Sequence, residues 1–252
     1  MTFKLFIHGV PDTPEMWRPL ITALSLEPEQ YSVPALPGFG VPVPADFDCS
    51  ADAYVDWCRT QIEAAAAKAG GPIDLVGHDW GAIIAMRAAA RVPHLIASWA
   101  IAGAAPEPSY KWHRMARLWQ TPILGNLILL LTRPRQIQTL LQTSGLPAAL
   151  ARQEAGAFDQ TMKSSILRLY RSAKRLQQLT DDPVTTNFDA LPRPGLIYWG
   201  ADDPYVATSV AETYAKRTGA NLIVEPATGH WSIVQRADRL ATILEQHWSA
   251  TP

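Results

Sequence analysis

The chain has 252 residues, of which 48% are hydrophobic and 18% are charged, so it can bury a large core and is not disordered. This length suits one large domain, or a core that carries an inserted subdomain. The formal net charge of −1 provides no basic excess for nucleic acid and no polybasic anchor for a membrane. We therefore expect neither of these partners.

The cysteines and the apolar segments indicate neither secretion nor membrane insertion. Cys49 and Cys58 lack the Cys/His spacing of a metal site, and we expect free thiols in a reducing compartment. The first seven residues do not resemble a signal peptide, and the most apolar stretch, 123–131, is far shorter than the roughly 20 residues that span a bilayer. We expect a cytoplasmic protein. Without a ligand cluster or a glycine-rich phosphate loop, we expect no metal and no cofactor.

Strand-like and helical runs alternate along the chain. In chain order, we predict strands at 3–8, 31–35, 73–76, 96–102, 195–199 and 221–225, and helices at 15–24, 51–69, 82–91, 206–217 and 232–248. Strands joined through helices form a parallel sheet with helices on both faces, and unbroken apolar strands suit a sheet that is covered on both sides. We therefore predict an α/β fold with a mostly parallel sheet of about six strands.

The alternation stops between residues 104 and 190, where the sequence is helical in character and is interrupted by proline and glycine. We predict that this stretch is a helical lid, or cap, inserted after the fourth strand. Residues 1–103 and 191–252 would then form the core.

The segment Gly77-His78-Asp79-Trp80-Gly81 joins the third strand to a helix. Its G-x-x-x-G frame is typical of a nucleophile elbow, which normally holds serine at its centre. Such a turn presents its central side chain at the carboxyl edge of the sheet, where ligands bind. The alternative is that Asp79 only caps the helix. Because no G-x-S-x-G occurs in the chain, we do not expect a serine esterase.

Together with His8-Gly9-Val10-Pro11 after the first strand, this segment resembles the epoxide hydrolase and haloalkane dehalogenase branch of the α/β-hydrolases. The resemblance covers most of the chain apart from the lid, and it implies that Asp79 is the nucleophile. Two further strands usually precede the His-Gly-x-Pro strand, which here begins at residue 3. We therefore expect six parallel strands with 31–35 at the edge, which a second copy in a homodimer would cover.

The same resemblance implies a histidine after the last strand and an acid after the strand before it. Gly229-His230-Trp231 resembles the family's base, and Asp203 lies three residues after Gly200, where the family usually carries its acid. Asp202 and Glu107 are the alternative acids. The order Asp79, Asp203, His230 matches nucleophile, acid and histidine.

These residue types indicate a two-step hydrolysis. Asp79 would attack a saturated carbon and form an ester, and His230, oriented by Asp203, would then activate the water that hydrolyses it. The backbone N–H groups of Val10 and Trp80 are the candidates for the oxyanion hole, because one follows His8-Gly9 and the other follows Asp79.

The lid would decide the leaving group of a small apolar substrate. Residues 166–173 resemble the lid helix that supplies a Tyr-Arg pair in epoxide hydrolases, so Tyr170 is the preferred proton donor, with Tyr110 or His113 as its partner. The alternative is that these aromatic side chains only pack the lid onto the core.

Haloalkane dehalogenases instead hold a halide with two N–H donors. Trp80 would be one, but Val10 stands where another group carries asparagine, so Trp112 or Trp119 would have to be the second. Trp80 also replaces the arginine of fluoroacetate dehalogenases, which argues against an acid substrate. We rank epoxide hydrolysis first, dehalogenation second and a non-catalytic binding protein third.

Overall fold

The computed structural model describes residues 2–173 and 190–250. Within these ranges one parallel sheet has the order β2-β1-β3-β4-β5-β6, with β1 (Lys4–Ile7), β2 (Tyr31–Ser32), β3 (Ile73–His78), β4 (Ile96–Ala102), β5 (Leu196–Gly200) and β6 (Asn221–Glu225). The predicted α/β-hydrolase fold with six parallel strands is confirmed. The edge strand at 31–35 is present but has only two residues, with prolines at Pro34 and Pro37 beyond it.

Eleven α-helices lie in the described ranges: α1 (Arg18–Ala23), α2 (Ala51–Ala69), α3 (Trp80–Arg91), α4 (Arg114–Gln120), α5 (Leu124–Leu131), α6 (Pro134–Thr143), α7 (Ala148–Gly156), α8 (Gln160–Ser172), α9 (Thr208–Thr218), α10 (Ser232–Gln235) and α11 (Ala237–Ala250). The helix predicted at 15–24 instead begins as a 3-10 turn, Pro14–Trp17, and the one at 232–248 is divided at Arg236. None of these helices is long and apolar enough to cross a membrane.

The sheet is buried on both faces. Every residue of β1, β3 and β5 is buried, as expected for central strands that helices cover from both sides. Helix α2 has the predicted bounds because Ser50 caps its first turn and Gly70 ends it in the left-handed conformation.

Helices α4 to α8 connect β4 to β5 and lie within the predicted lid. Side chains of α4, α6 and α8 line one cavity together with residues that follow β1, β3 and β6. The predicted lid region therefore lies beside the carboxyl edge of the sheet. Its predicted end at residue 190 follows a stretch outside the described residues, so that boundary stays a prediction.

Candidate active site

Asp79 lies between β3 and α3 in a strained backbone conformation, with φ 50° and ψ −128°. The two flanking glycines are a steric requirement of this turn. A Cβ on Gly77 would lie 2.7 Å from the Cα of Ala82, and one on Gly81 would lie 2.2 Å from the carbonyl oxygen of Ile7. The Asp79 side chain makes no capping hydrogen bond to α3. Helix capping therefore does not explain this residue.

His230 lies between two carboxylates. Its Nδ1 donates a hydrogen bond to Oδ2 of Asp203 at 2.7 Å, and its Nε2 lies 3.5 Å from Oδ1 of Asp79. The other oxygen of Asp203 accepts hydrogen bonds from the backbone N–H groups of Tyr205 and Val206. Asp203 is therefore held on both sides and presents one oxygen to the histidine.

The two alternative acids have other surroundings. Glu107 forms an ion pair with Arg217 at 3.1 Å and also accepts a hydrogen bond from the hydroxyl of Ser109. Asp202 is exposed. Of the three candidate acids, Asp203 is the one that contacts His230.

The charges of the three residues stabilise one another. Burial disfavours a charged His230, but the carboxylates of Asp203 and Asp79 outweigh it and raise the pKa of this histidine to about 10. Burial likewise opposes ionisation of Asp79, yet its hydrogen bond to His230 and the charge of that residue hold the pKa of Asp79 below its ordinary value. At neutral pH the site therefore holds an ionised Asp79 beside an imidazolium.

The two predicted oxyanion-hole donors lie beside the resting carboxylate of Asp79. The N–H of Val10 donates to Oδ2 at 2.9 Å, and the backbone N–H of Trp80 lies close enough to help lower the pKa of this carboxyl group. A Cβ on Gly9 would lie 2.5 Å from the Cβ of Asp79, so this close approach requires glycine. Oδ2 of Asp79 therefore accepts a hydrogen bond from the backbone, and Oδ1 of Asp79 is the oxygen that faces His230.

His8 fixes the loop that carries Val10. Its Nδ1 donates to the carbonyl oxygen of Gly9 at 2.9 Å, and its Nε2 accepts from the N–H of Leu36 at 3.0 Å. Burial lowers the pKa of His8 to about 4, so the ring is neutral and can both donate and accept.

Asp12, which the sequence reasoning missed, supports the histidine loop. This fully buried carboxylate accepts two hydrogen bonds from the indole of Trp231, at 3.0 and 3.2 Å, and lies 3.6 Å from Nδ1 of His78. The Nε2 of His78 in turn donates to the carbonyl oxygen of His230 at 3.0 Å. The position of Asp12 directly after His8-Gly9-Val10-Pro11 could have indicated it.

Asp79 and His230 line a cavity of about 50 Å³ whose other walls are mainly aromatic and aliphatic. Tyr170 of α8 is buried here, with ring centroids 5.3 Å from Trp80, 5.5 Å from Trp112 and 5.0 Å from Trp119. Burial and the negative charge of Asp79 raise the pKa of Tyr170 well above its ordinary value. Its hydroxyl therefore keeps its proton at neutral pH.

Three further predicted lid residues, Tyr110, Trp112 and His113, also line this cavity, and each makes a hydrogen bond with the backbone. The indole of Trp112 donates to the carbonyl oxygen of Ala173 at 3.0 Å, and the hydroxyl of Tyr110 donates to the carbonyl oxygen of Tyr205 at 3.3 Å. Nδ1 of His113 accepts a hydrogen bond from the backbone N–H of Ala116 in the first turn of α4. Burial lowers the pKa of His113 to about 4.

The cavity wall includes the buried indole N–H groups of Trp80 and Trp119. Nε1 of Trp80 and Nε1 of Trp119 are buried, and neither has a hydrogen-bond partner of ordinary geometry among the described residues. Trp80 does lie close enough to the hydroxyl of Tyr170 to lower its pKa against the effect of burial. Tyr205, also missed from the sequence, packs on His230 at 5.0 Å between ring centroids. Among the described residues, the cavity thus has two indole N–H donors without a hydrogen-bond partner of ordinary geometry.

Glu154 of α7 is a buried carboxyl group between the lid and the loop after β1. Its Oε1 accepts a hydrogen bond from the hydroxyl of Thr13 at 3.1 Å, and its Oε2 has no partner among the described residues. Burial, together with the negative charges of Asp12 and Glu15, raises the pKa of Glu154 to about 9. The surroundings of Glu154 therefore favour its neutral form.

This shift predicts a pH dependence of stability. Since the pKa of Glu154 rises from 4.5 to about 9 on folding, the folded chain binds more protons in that window, and its stability falls as the pH rises. We expect Glu154→Gln to reduce this fall by on the order of 1–3 kcal/mol. Urea denaturation between pH 4.5 and about 9 measures the free energy of unfolding, and Glu212→Gln, at an exposed glutamate, is the control. Parallel pH curves for Glu154→Gln and the parent would contradict the prediction.

The comparisons with known proteins agree with this architecture. The model of the alpha/beta hydrolase family matches residues 5–243. Among solved structures, the chain is similar to 2-hydroxy-6-oxo-6-phenylhexa-2,4-dienoate hydrolase from Rhodococcus sp. strain RHA1, with a TM-score of 0.79 and 20% identity over 99% of this chain and 91% of that one. It is also similar to a loop variant of a haloalkane dehalogenase from Bradyrhizobium elkanii, with a TM-score of 0.73 and 20% identity over 99% and 90%.

A third similar structure is a meta-cleavage product hydrolase from Pseudomonas fluorescens IP01, with a TM-score of 0.74 and 21% identity over 100% of this chain and 92% of that one. At these identities the likeness concerns the fold. Within the described ranges, no group of three or more His, Cys, Asp or Glu side chains could hold a metal ion.

Proposed function

Because the chain belongs to the alpha/beta hydrolase family, we propose that it opens epoxides with water through a covalent ester on Asp79. The observation that carries the proposal is that the carboxylate of Asp79 and the protonated hydroxyl of Tyr170 line the same small cavity. Opening an epoxide needs a nucleophile on carbon and a proton for the oxygen that leaves. This pair supplies both.

In the first step, Oδ1 of Asp79 attacks one epoxide carbon, the bond between that carbon and the ring oxygen breaks, and Tyr170 protonates the alkoxide. The product of this step is a hydroxyalkyl ester. The Trp80 indole beside the Tyr170 hydroxyl stabilises the phenolate as it develops. Oδ2 becomes the carbonyl oxygen of the ester and keeps its contact with the N–H of Val10.

In the second step, His230 takes a proton from water, and the hydroxide attacks the carbonyl carbon of the ester. This step needs a neutral histidine. Esterification removes the negative charge of Asp79, one of the two charges that raise the pKa of His230, so alkylation itself favours the basic form. Asp203 keeps Nδ1 protonated, which leaves Nε2 as the base. The N–H groups of Val10 and Trp80 stabilise the oxyanion.

Dehalogenation by the same covalent route is the second candidate. It is favoured by the buried, unpaired indole N–H groups of Trp80 and Trp119, which line the cavity. A departing halide needs N–H donors in a dry site and no proton, so this pair would suit it. A haloalkane dehalogenase is also among the structures of similar fold.

An intact-mass trap distinguishes the two reactions. We expect His230→Ala to accumulate the ester, because it lacks the base for hydrolysis, and to gain the mass of a whole epoxide. The double variant Asp79→Ala, His230→Ala is the control and should gain nothing. A gain equal to an alkyl halide minus hydrogen halide, without any epoxide adduct, would make dehalogenation the function. If neither substrate class leaves an adduct that depends on Asp79, the covalent mechanism is wrong.

Replacing Tyr170 by phenylalanine tests the proton donor. We expect Tyr170→Phe to slow ester formation from epoxides by about 10²–10⁴-fold, the usual contribution of a general acid, while the packing of the ring is kept. Single-turnover kinetics of the ester measures this. Tyr214→Phe, at another buried tyrosine, is the matched control. Unchanged epoxide kinetics would remove Tyr170 from the mechanism.

A further inference from the structure

An apolar ridge runs along the outer side of the lid, formed by the exposed side chains of α5 and the residue before it. Five of the seven large hydrophobic side chains that are exposed in the described ranges lie here: Ile123 at 83%, Leu124 at 42%, Leu127 at 50%, Leu130 at 65% and Leu131 at 64%. The opposite side of α5 is buried through Gly125 and Leu129. Such a concentration of exposed apolar surface marks an interaction site.

Basic side chains flank this ridge on both sides. On one side, Lys163, Arg168 and Arg171 of α8 line a groove together with Ile123, Leu127 and Leu130 of the ridge. On the other side, Arg133 and Arg135 line a depression together with Leu131.

The local charge differs strongly from that of the whole chain. Residues 108–153 contain no aspartate or glutamate, and residues 108–173 contain nine lysines and arginines against two acids. One of those acids, Glu154, is buried and its raised pKa favours the neutral form, and the other, Asp159, caps α8. The net charge of the chain is only −1, so its positive charge is concentrated in the lid.

We propose that the ridge docks on an anionic lipid surface. The leucines and Ile123 would enter the boundary between headgroups and acyl chains, and the flanking cations would contact the acidic headgroups, as in helices that lie in a membrane interface. A second copy of this chain fits the surface less well, because a two-fold symmetric contact would bring the same cations together.

Docking there would place the membrane near the substrate cavity. Helices α4 and α8 both pack against α5, and they carry Trp119 and Tyr170 of the cavity wall. An apolar substrate dissolved in the bilayer would therefore be concentrated beside the lid.

Vesicle flotation with the full chain tests this proposal. We expect binding to vesicles of phosphatidylcholine mixed with phosphatidylserine and much weaker binding to phosphatidylcholine alone, with a loss at high salt. The paired change Arg133→Gln, Arg135→Gln should lower partitioning by about tenfold or more. The paired change Leu127→Ser, Leu130→Ser should lower it comparably. Val41→Ser with Val224→Ser, at exposed sites elsewhere, is the control and should bind like the parent.

Two results would overturn the proposal. One is equal binding to neutral and anionic vesicles, or to neither. The other is a dimer in light scattering that Leu127→Ser, Leu130→Ser dissociates, which would assign the ridge to a second copy. Thermal unfolding of each variant verifies its fold, and the catalytic assay with a soluble substrate should be unchanged, because none of these residues lines the cavity.

Discussion

Asp79→Ala should lower kcat/KM for the substrate found in the trap by about 10⁴-fold or more, which is the order of loss when a covalent nucleophile is removed. The side chain is the single carboxylate that faces both the cavity and Nε2 of His230, within the described residues. Alanine leaves the oxyanion-hole donors in place but provides no atom to attack carbon. Steady-state kinetics measures the loss.

Asp79→Glu is the informative companion to this change. It keeps the negative charge but moves the carboxylate away from the N–H of Val10, because the elbow allows no extra room beside Gly9. We expect most of the activity to be lost here too. If Asp79→Ala kept a substantial fraction of parental activity, a water molecule rather than Asp79 would be the attacking group.

Asp203→Asn should stop the cycle at the ester. The side-chain oxygen of the asparagine can still accept hydrogen bonds from the N–H groups of Tyr205 and Val206. The NH₂ group of the asparagine then faces Nδ1 of His230. Nδ1 must then accept, so the proton lies on Nε2 and the histidine cannot act as a base. We expect ester hydrolysis to slow by about 10²–10⁴-fold, by analogy with other histidines that lose their orienting carboxylate.

A burst of ester formation followed by slow turnover would be the signature, measured by quenched-flow mass spectrometry. Asp202→Asn is the matched control, because the neighbouring carboxylate is exposed and its variant should behave like the parent. Equal effects of the two substitutions would mean that Asp203 does not orient His230.

The sequence could indicate that Asp79, Asp203 and His230 lie near one another because each follows a strand. Parallel strands end at one edge of the sheet, so residues after β3, β5 and β6 must come together once the topology is known. Which of Asp202 and Asp203 faces the histidine depends on the turn after Gly200, and the spacing alone left both open.

The lid could not be predicted to the same depth. Whether an aromatic side chain has a free donor depends on which carbonyl it meets when helices pack. The indole of Trp112 meets Ala173, whereas that of Trp119 has no partner among the described residues. Asp12 and Glu154 are far apart in sequence, and their proximity depends on how α7 docks.

The net charge of the whole chain was a poor guide to its local charge. The value of −1 is the sum of a basic lid and an acidic remainder, so it does not reveal the positive charge of the lid.

The hydrogen bond from Val10 to Oδ2 has an isotopic consequence under the proposed mechanism. Hydrolysis breaks the bond between the carbonyl carbon and Oδ1, so that oxygen leaves with the product and solvent replaces it. Oδ2, held by the backbone, stays through every cycle. In ¹⁸O-labelled water Asp79 should therefore gain a single heavy oxygen however many turnovers occur, and the first molecule of product formed by each enzyme should carry none.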